Sequence, residues 1–195
     1  MADPTKSIYT NVTLNDVQLA SAYYPILVDL ARHKHCLTYG ELVAKAKEMY
    51  PTKAAVKDAI AVSTGRKLDV VRYFTEERDL PDLTSLIINK GSGECGSGFT
   101  KDFDPVTVRQ QVFEFDWSNV STDFDGFIKH SKSEVTPRKK MKKPDAAKVM
   151  YEFYQKNESS LSPMIQDGRE LILELLMEGF PAEYAFSQAT ASLSA

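Results

Sequence analysis

Residues 38–41, Thr-Tyr-Gly-Glu, predict where a helix begins. In this spacing the Thr38 hydroxyl accepts the amide N–H of Glu41, and the Glu41 carboxylate accepts the amide N–H of Thr38. Apolar residues then recur at helical spacing until Pro51 ends the run: Leu42, Val43, Ala46 and Met49. The chain must therefore supply a core against which one face of this helix packs.

Much of the remaining chain also has helical patterns. Thr13 and Asp16 have the spacing of another capped helix start, and the run that follows extends to about residue 35. Pro25 within this run either kinks the helix or begins a second one. Further helices are predicted near residues 53–62, 66–81, 146–157, 162–179 and 181–193.

One segment has the pattern of a strand followed by a turn. Residues 83–90, LTSLIINK, are rich in apolar and β-branched side chains, and glycine ends them. The glycine-rich residues 91–98 lack the Gly-Lys-Ser/Thr of a phosphate-binding loop, so we interpret them as a hairpin tip. Asp104 and Pro105 predict a helix start, and residues 112–117 are expected to be an extended return.

This order of elements is typical of a winged helix-turn-helix. The predicted fold class is mostly α with a small β-hairpin, made of a winged helix-turn-helix-like domain and a C-terminal helical tail. We place the winged-helix-like domain at residues 10–130, a basic linker at 131–146 and the helical tail at 147–195.

Three motifs also resemble a family of small winged-helix-type domains of bacteria and phages. They are LTYGELV at residues 37–43, LPDLTSLIINKGSGECGSGF at 80–99 and VFEFDW at 112–117. The resemblance covers about residues 14–118, and most of the matching positions are structural. It therefore implies a fold more than an activity, and it suggests a phage or antiviral-defence setting.

The charge is unevenly distributed along the chain. Residues 1–135 contain 16 Lys and Arg against 19 Asp and Glu, whereas residues 136–143 contain five basic residues and no acid. Residues 144–195 contain three basic and eight acidic residues. The net charge of −3 argues against indiscriminate binding to nucleic acid, but a local basic face is compatible with it.

Two groups of basic residues are candidates for contact with DNA, where Lys and Arg bind phosphates. The first group lies on the helices at 53–62 and 66–81, with Lys67 and Arg72 facing outward, and beside the glycine-rich tip: Lys53, Lys57, Arg66, Lys67, Arg72, Lys90 and Lys101. The second group lies in the linker: Arg138, Lys139, Lys140, Lys142 and Lys143. The alternatives are solvated surfaces or, for the linker, docking against the acidic tail.

Nothing in the sequence predicts catalysis, a metal or a cofactor. Cys36 and Cys95 are too few for a cysteine zinc site, and His33 and His35 do not share a helical face. Residues 37–43 also resemble the DNA-binding domain of alkylguanine transferases, but the Pro-Cys-His-Arg nucleophile segment of that family is missing. We therefore expect a protein that is not an enzyme.

The C-terminal helices have an apolar stripe that about 50 residues can hardly bury alone. The stripe therefore either packs on the first domain or forms an interface between molecules. We predict an oligomer or partner interface there: Leu171, Leu175, Phe180, Tyr184 and Phe186. No apolar run is long enough to cross a membrane, and the N-terminus lacks the pattern of a signal peptide, so we expect a cytoplasmic protein.

The predicted function is non-catalytic binding of double-stranded DNA by a homo-oligomer. The alternative is a protein-interaction module, such as an adaptor or a phage-encoded inhibitor of a host protein.

Overall fold

The computed structural model describes residues 8–96 and 103–193. The described part is mostly helical and divides into two compact units, residues 1–136 and residues 137–195. The N-terminal unit has six α-helices and two short strands among its described residues: α1 Leu14–His33, β1 Leu37–Thr38, α2 Tyr39–Met49, α3 Ala54–Lys57, α4 Thr64–Glu76, β2 Ile87–Ile88, α5 Pro105–Glu114 and α6 Ser121–Glu134. The described C-terminal helices are α7 Lys143–Asn157, α8 Arg169–Met177 and α9 Ala182–Leu193.

The three helix starts predicted from capping residues are confirmed. Thr13 and Thr38 each form a complete capping box, with Asp16 and Glu41 respectively. The Asp104 carboxylate accepts the N–H of Thr107 at 3.0 Å, which caps α5 where Pro105 is the first helical residue. These caps satisfy amide groups that have no partner within the helix, and they fix where each helix begins.

Helix α1 is the centre of the N-terminal unit. It continues through Pro25 without interruption and is buried on most sides. Tyr24 of α1 stacks on Phe124 of α6 with ring centroids 3.7 Å apart, and Phe74 of α4 meets both rings edge to face. The unit is thus a helical assembly around one apolar cluster, to which α1, α2, α4, α5 and α6 all contribute.

The sheet differs from the predicted β-hairpin. β1 and β2 pair in parallel, with Leu37 opposite Ile87 and Thr38 opposite Ile88, whereas a hairpin requires antiparallel strands. Before β2, residues 83–86 form a 3-10 turn capped by Asp82. The expected extended return at residues 112–117 contains the end of α5 and the start of another 3-10 turn. The winged-helix arrangement is therefore not established.

The glycine-rich segment begins as a tight turn after β2. The Asn89 carbonyl accepts the N–H of Gly93 at 2.9 Å, and the Asn89 N–H donates to the Glu94 carbonyl at 2.7 Å. Gly93 has a φ of +70°, which a residue with a side chain rarely adopts. The rest of the predicted tip, residues 97 and 98, lies outside the described residues.

The C-terminal unit has an apolar cluster of its own. Four residues of the predicted oligomer interface are buried within that cluster: Leu171, Leu175, Phe180 and Phe186. Tyr184 is half-buried and stacks on Phe180 with ring centroids 4.7 Å apart. Helices α7, α8, α9 and the 3-10 turn at Pro163–Gly168 together cover the stripe within this unit, and an oligomer or partner interface at these residues stays a prediction.

The residues predicted as a linker, 131–146, are divided between the two units. Residues 131–134 belong to α6, and residues 143–146 belong to α7. The boundary between the two units lies between Thr136 and Pro137.

None of the helices in the described parts of the chain is both long enough and apolar enough to span a membrane.

Candidate nucleic-acid interface

The first predicted cation group contains two residues that form an internal ion cluster. The Lys67 ammonium lies 3.4 Å from Asp16 Oδ1 and donates to Ser63 Oγ at 2.8 Å, and the residue is 1% exposed. Arg66 Nη2 donates to Asp16 Oδ2 at 3.0 Å and to the Asn11 carbonyl at 2.7 Å. The expectation that Lys67 faces outward was therefore wrong, and neither cation is available as a free phosphate contact.

Arg72 is also held within the N-terminal unit. Its Nε donates to Asp82 Oδ2 at 2.8 Å, and its Nη2 donates to Thr84 Oγ1 at 3.2 Å. Nearby, burial raises the pKa of Asp69, although Arg72 and Arg66 act in the opposite direction. Arg72 thus joins α4 to the 3-10 turn before β2, so its charge is compensated inside the fold.

The remaining described cations of this group lie on separate elements. Lys53 and Lys57 lie at the two ends of the four-residue helix α3, and the Lys53 ammonium lies 4.1 Å from the Tyr50 ring centroid. Lys90 lies in the turn after β2, near the start of α2. There, hydrogen bonds from Thr38 lower the pKa of Glu41, and the charge of Lys90 adds a smaller contribution. Lys101 lies outside the described residues.

The second predicted group forms an ordered edge of the C-terminal unit, which we call the basic strip, residues 138–143. The Met141 N–H donates to the Met177 carbonyl at 3.1 Å, and the Lys140 ammonium pairs with Glu178 at 3.1 Å. The Arg138 guanidinium lies over the Phe180 ring, 4.1 Å from its centroid. The strip is therefore fixed along the C-terminal end of α8 rather than free as a solvated linker.

Gly179 makes this packing possible. Its φ of +86° ends α8, and a Cβ at this position would lie only 2.6 Å from the Lys139 carbonyl oxygen. The strip backbone thus passes directly over a residue that has no side chain. The role of Gly179 as a helix terminator was predictable, but its role as the seat of the strip was not, because the contact joins distant parts of the sequence.

Three lysines of the basic strip point into solvent. Lys139, Lys142 and Lys143 are exposed, and they have no ion pair within the described ranges 8–96 and 103–193. Docking against an acidic residue of the tail is thus observed at Lys140, which pairs with Glu178, whereas Arg138 contacts the Phe180 ring. What remains is a fixed segment with three exposed ammonium groups within five residues.

Comparisons with family models, characterised proteins and solved structures found no match to this chain.

Proposed function

We propose that this protein is a non-catalytic DNA-binding protein and that the basic strip contacts the phosphate backbone. The single observation that carries the proposal is the fixed position of the strip with Lys139, Lys142 and Lys143 exposed. An ordered cationic segment loses less conformational entropy on binding than a flexible one.

The spacing of these lysines suits a phosphate backbone. Residues 136–142 are not helical, and Lys142 has an extended backbone with φ −75° and ψ 154°. At about 3.3 Å per extended residue, Lys139 and Lys143 are separated by up to about 13 Å. This length corresponds to about four phosphates along the axis of one DNA strand.

The charge of the protein limits the mode of binding. With a net charge of −3, long-range attraction is weak, and the contact depends on the local strip. If three phosphates are neutralised, the logarithm of the binding constant is expected to fall with the logarithm of salt concentration with a slope of about −2.7. Such a contact positions the protein without reading bases.

The winged-helix arrangement and the phage or defence setting remain part of the proposal for the N-terminal unit. Their support is the order of α1, β1, α2 and α4 ahead of a glycine-containing turn, together with the motif resemblance at residues 37–43 and 80–99. DNA contact through the basic strip does not depend on either of them.

Fluorescence anisotropy with a random duplex, titrated at several salt concentrations, tests the function. A triple variant with Lys139, Lys142 and Lys143 changed to Ala is expected to lose salt-dependent binding. The matched control changes the same number of charges in the N-terminal unit, at Lys53, Lys57 and Lys90, and is expected to bind as the parent protein does. The reverse result would move the contact to the N-terminal unit. No binding of the parent protein at low salt would refute the DNA-binding proposal.

A further inference from the structure

The C-terminal unit has a second surface feature, whose lining includes no residue of the basic strip. It is an open cavity of about 290 Å³, which we call the C-terminal groove. Its walls come from α7, α8, α9 and the 3-10 turn at Pro163–Gly168, and its apolar lining consists of Met150, Tyr151, Tyr154, Ile165, Ile172 and Phe186.

The groove combines a buried floor with an exposed aromatic wall. Ile165 and Phe186 are buried, whereas Tyr151 is 59% exposed and Met164, next to Ile165 in the chain, is 57% exposed. Tyrosine, methionine and arginine are enriched where proteins bind other proteins, and a large apolar side chain gains free energy when a partner removes it from water.

The phenol groups of the wall are directed along their own helix. Tyr151 accepts a hydrogen bond from Gln155 Nε2 at 2.7 Å, and Tyr154 donates to Glu158 at 3.3 Å. Both polar ends are therefore occupied by residues four positions further along the chain. The faces of the two rings are therefore the part of these side chains that an occupant of the groove would contact.

Arg169 gives the groove its charge. It is the one charged side chain among the described residues that line the groove, it is exposed, and it forms no ion pair there. Gln166 is beside it in the lining and adds an uncharged polar group. An occupant that complements this site has an apolar surface for the aromatic wall and a carboxylate for Arg169.

The size of the groove favours anchor side chains over a cofactor. Sites for small molecules usually enclose about 300–1,000 Å³ and bury most of the ligand, whereas this groove is at the lower limit and is open to solvent. Helices that bind in grooves insert apolar anchors spaced three or four residues apart. We propose that the C-terminal groove binds an amphipathic helix of a partner protein, which places apolar anchors on the aromatic wall and an acidic side chain against Arg169.

A displayed library of 16-residue helical peptides, selected on the full-length protein, tests this proposal. The library carries apolar residues at positions i, i+4 and i+7 and allows both acidic and basic residues beside them. Peptides with an acidic flanking residue are expected to be enriched. Binding of the best peptide, measured by fluorescence anisotropy, is expected to weaken at least tenfold with either Tyr151→Asp or Arg169→Glu.

The charge contact has its own matched control. Lys156→Glu makes the same change of charge on α7 at an exposed residue outside the groove lining, and it is expected to leave peptide binding unchanged. Changing the acidic flanking residue of the peptide to lysine is expected to restore binding to Arg169→Glu and to weaken binding to the parent protein.

Three results would overturn the proposal. The first is that no peptide is enriched, or that the enriched peptides bind the parent protein, Tyr151→Asp and Arg169→Glu equally well. The second is a dimer, detected by sedimentation equilibrium, that Tyr151→Asp abolishes, because the occupant would then be a second copy of the chain. The third is that octanoate, a small apolar carboxylate, binds in the groove and that no peptide competes with it, because the ligand would then be a small molecule.

Discussion

Lys67 is a charged residue that lies in the interior of the protein rather than on its surface. Its ammonium is buried between Asp16 and Ser63, at the place where the start of α1 meets the start of α4. Removing such a group from water costs several kcal/mol, and this cost is offset only when the partners are well placed. Asp16 meets this condition, because it also accepts the N–H of Thr13 and the guanidinium of Arg66.

Replacement of Lys67 by alanine is expected to lower the free energy of unfolding by about 3 kcal/mol, because one partner of a buried ion pair is removed. The estimate is at the lower end of the usual range, since Arg66 still compensates Asp16. Urea denaturation followed by tryptophan fluorescence measures the change. Lys57→Ala, at an exposed lysine, is the control and should change the free energy by less than about 0.5 kcal/mol. A loss below 1 kcal/mol for Lys67→Ala would contradict the structural role.

Glu41 provides a pH-dependent contribution at the residue scale. The Thr38 N–H donates to its carboxylate at 2.7 Å and the Thr38 hydroxyl at 2.8 Å, and these bonds lower the pKa of Glu41 from its usual 4.5. Because the pKa is lower in the folded state than in the unfolded state, the charged carboxylate stabilises the fold above pH 4.5, and this stabilisation disappears as the pH falls through the lowered pKa.

Glu41→Gln is therefore expected to be less stable than the parent protein at pH 7 and to approach it as the pH falls below 4.5. Urea midpoints of both proteins between pH 2.5 and pH 7 measure the difference. Glu48→Gln is a suitable control, because Glu48 lies on the same helix and takes no part in the cap. A difference between Glu41→Gln and the parent that stays constant over this range would exclude the carboxylate as its cause.

At the scale of elements, the junction of α8 with the basic strip depends on one glycine. Gly179→Ala places a side chain in the left-handed region, which costs about 1–2 kcal/mol, and also brings its Cβ against the Lys139 carbonyl. We expect the free energy of unfolding to fall by about 2 kcal/mol or more and the strip to become accessible to trypsin at its lysines.

The control for Gly179→Ala is Gly91→Ala, since Gly91 has no neighbouring atom where the new Cβ would lie. The comparison uses limited digestion of both full-length variants, with mass spectrometry of the fragments. Cleavage after Lys139, Lys142 or Lys143 should accelerate in Gly179→Ala alone. Equal digestion of both variants would show that the glycine does not hold the strip.

The elements also show what a sequence can predict and what it cannot. Helix starts were predictable, because Thr13, Thr38 and Asp104 each find a cap partner within three residues. The parallel pairing of β1 with β2 was not predictable, because two-residue strands leave no period and their register depends on the packing of the whole unit.

The sequence predicted which basic residues were candidates for the site, but it did not predict where they lie in the fold. Lys67 precedes Val71 by four residues and Phe74 by seven, so its place on the buried face of α4 was implicit in the helical period. The acidic partner that makes its burial tolerable, Asp16, is distant in the sequence. The basic strip was found from its charge alone, whereas the exposure of Lys139, Lys142 and Lys143 follows from contacts around Gly179.

The whole molecule contains two separate apolar clusters, and their sizes differ. The larger one lies within residues 1–136 and includes Trp117, the single tryptophan of the chain. The smaller one lies within residues 137–195, a length at which a folded unit buries only about 60% of its surface. The C-terminal unit is thus expected to have the lower stability.

Unfolding in urea is therefore expected to give two transitions that do not coincide. Trp117, whose indole N–H donates to the Val112 carbonyl at 2.9 Å, reports on the N-terminal unit, whereas circular dichroism at 222 nm reports on all helices. About a third of the α-helical residues belong to α7, α8 and α9, so about a third of the helical signal should disappear before the fluorescence changes.

Two core substitutions can assign these transitions, because each removes a buried ring from only one cluster. Phe186→Ala should move the first transition to lower urea and leave the fluorescence midpoint unchanged. Phe74→Ala should move the fluorescence midpoint, and each substitution is expected to cost about 3–5 kcal/mol in its own unit. If both probes instead change together in the parent protein, and each substitution shifts both, then the two clusters unfold as one cooperative structure. Separate transitions would mean that the unit carrying the basic strip and the C-terminal groove can unfold while the unit around α1 stays intact.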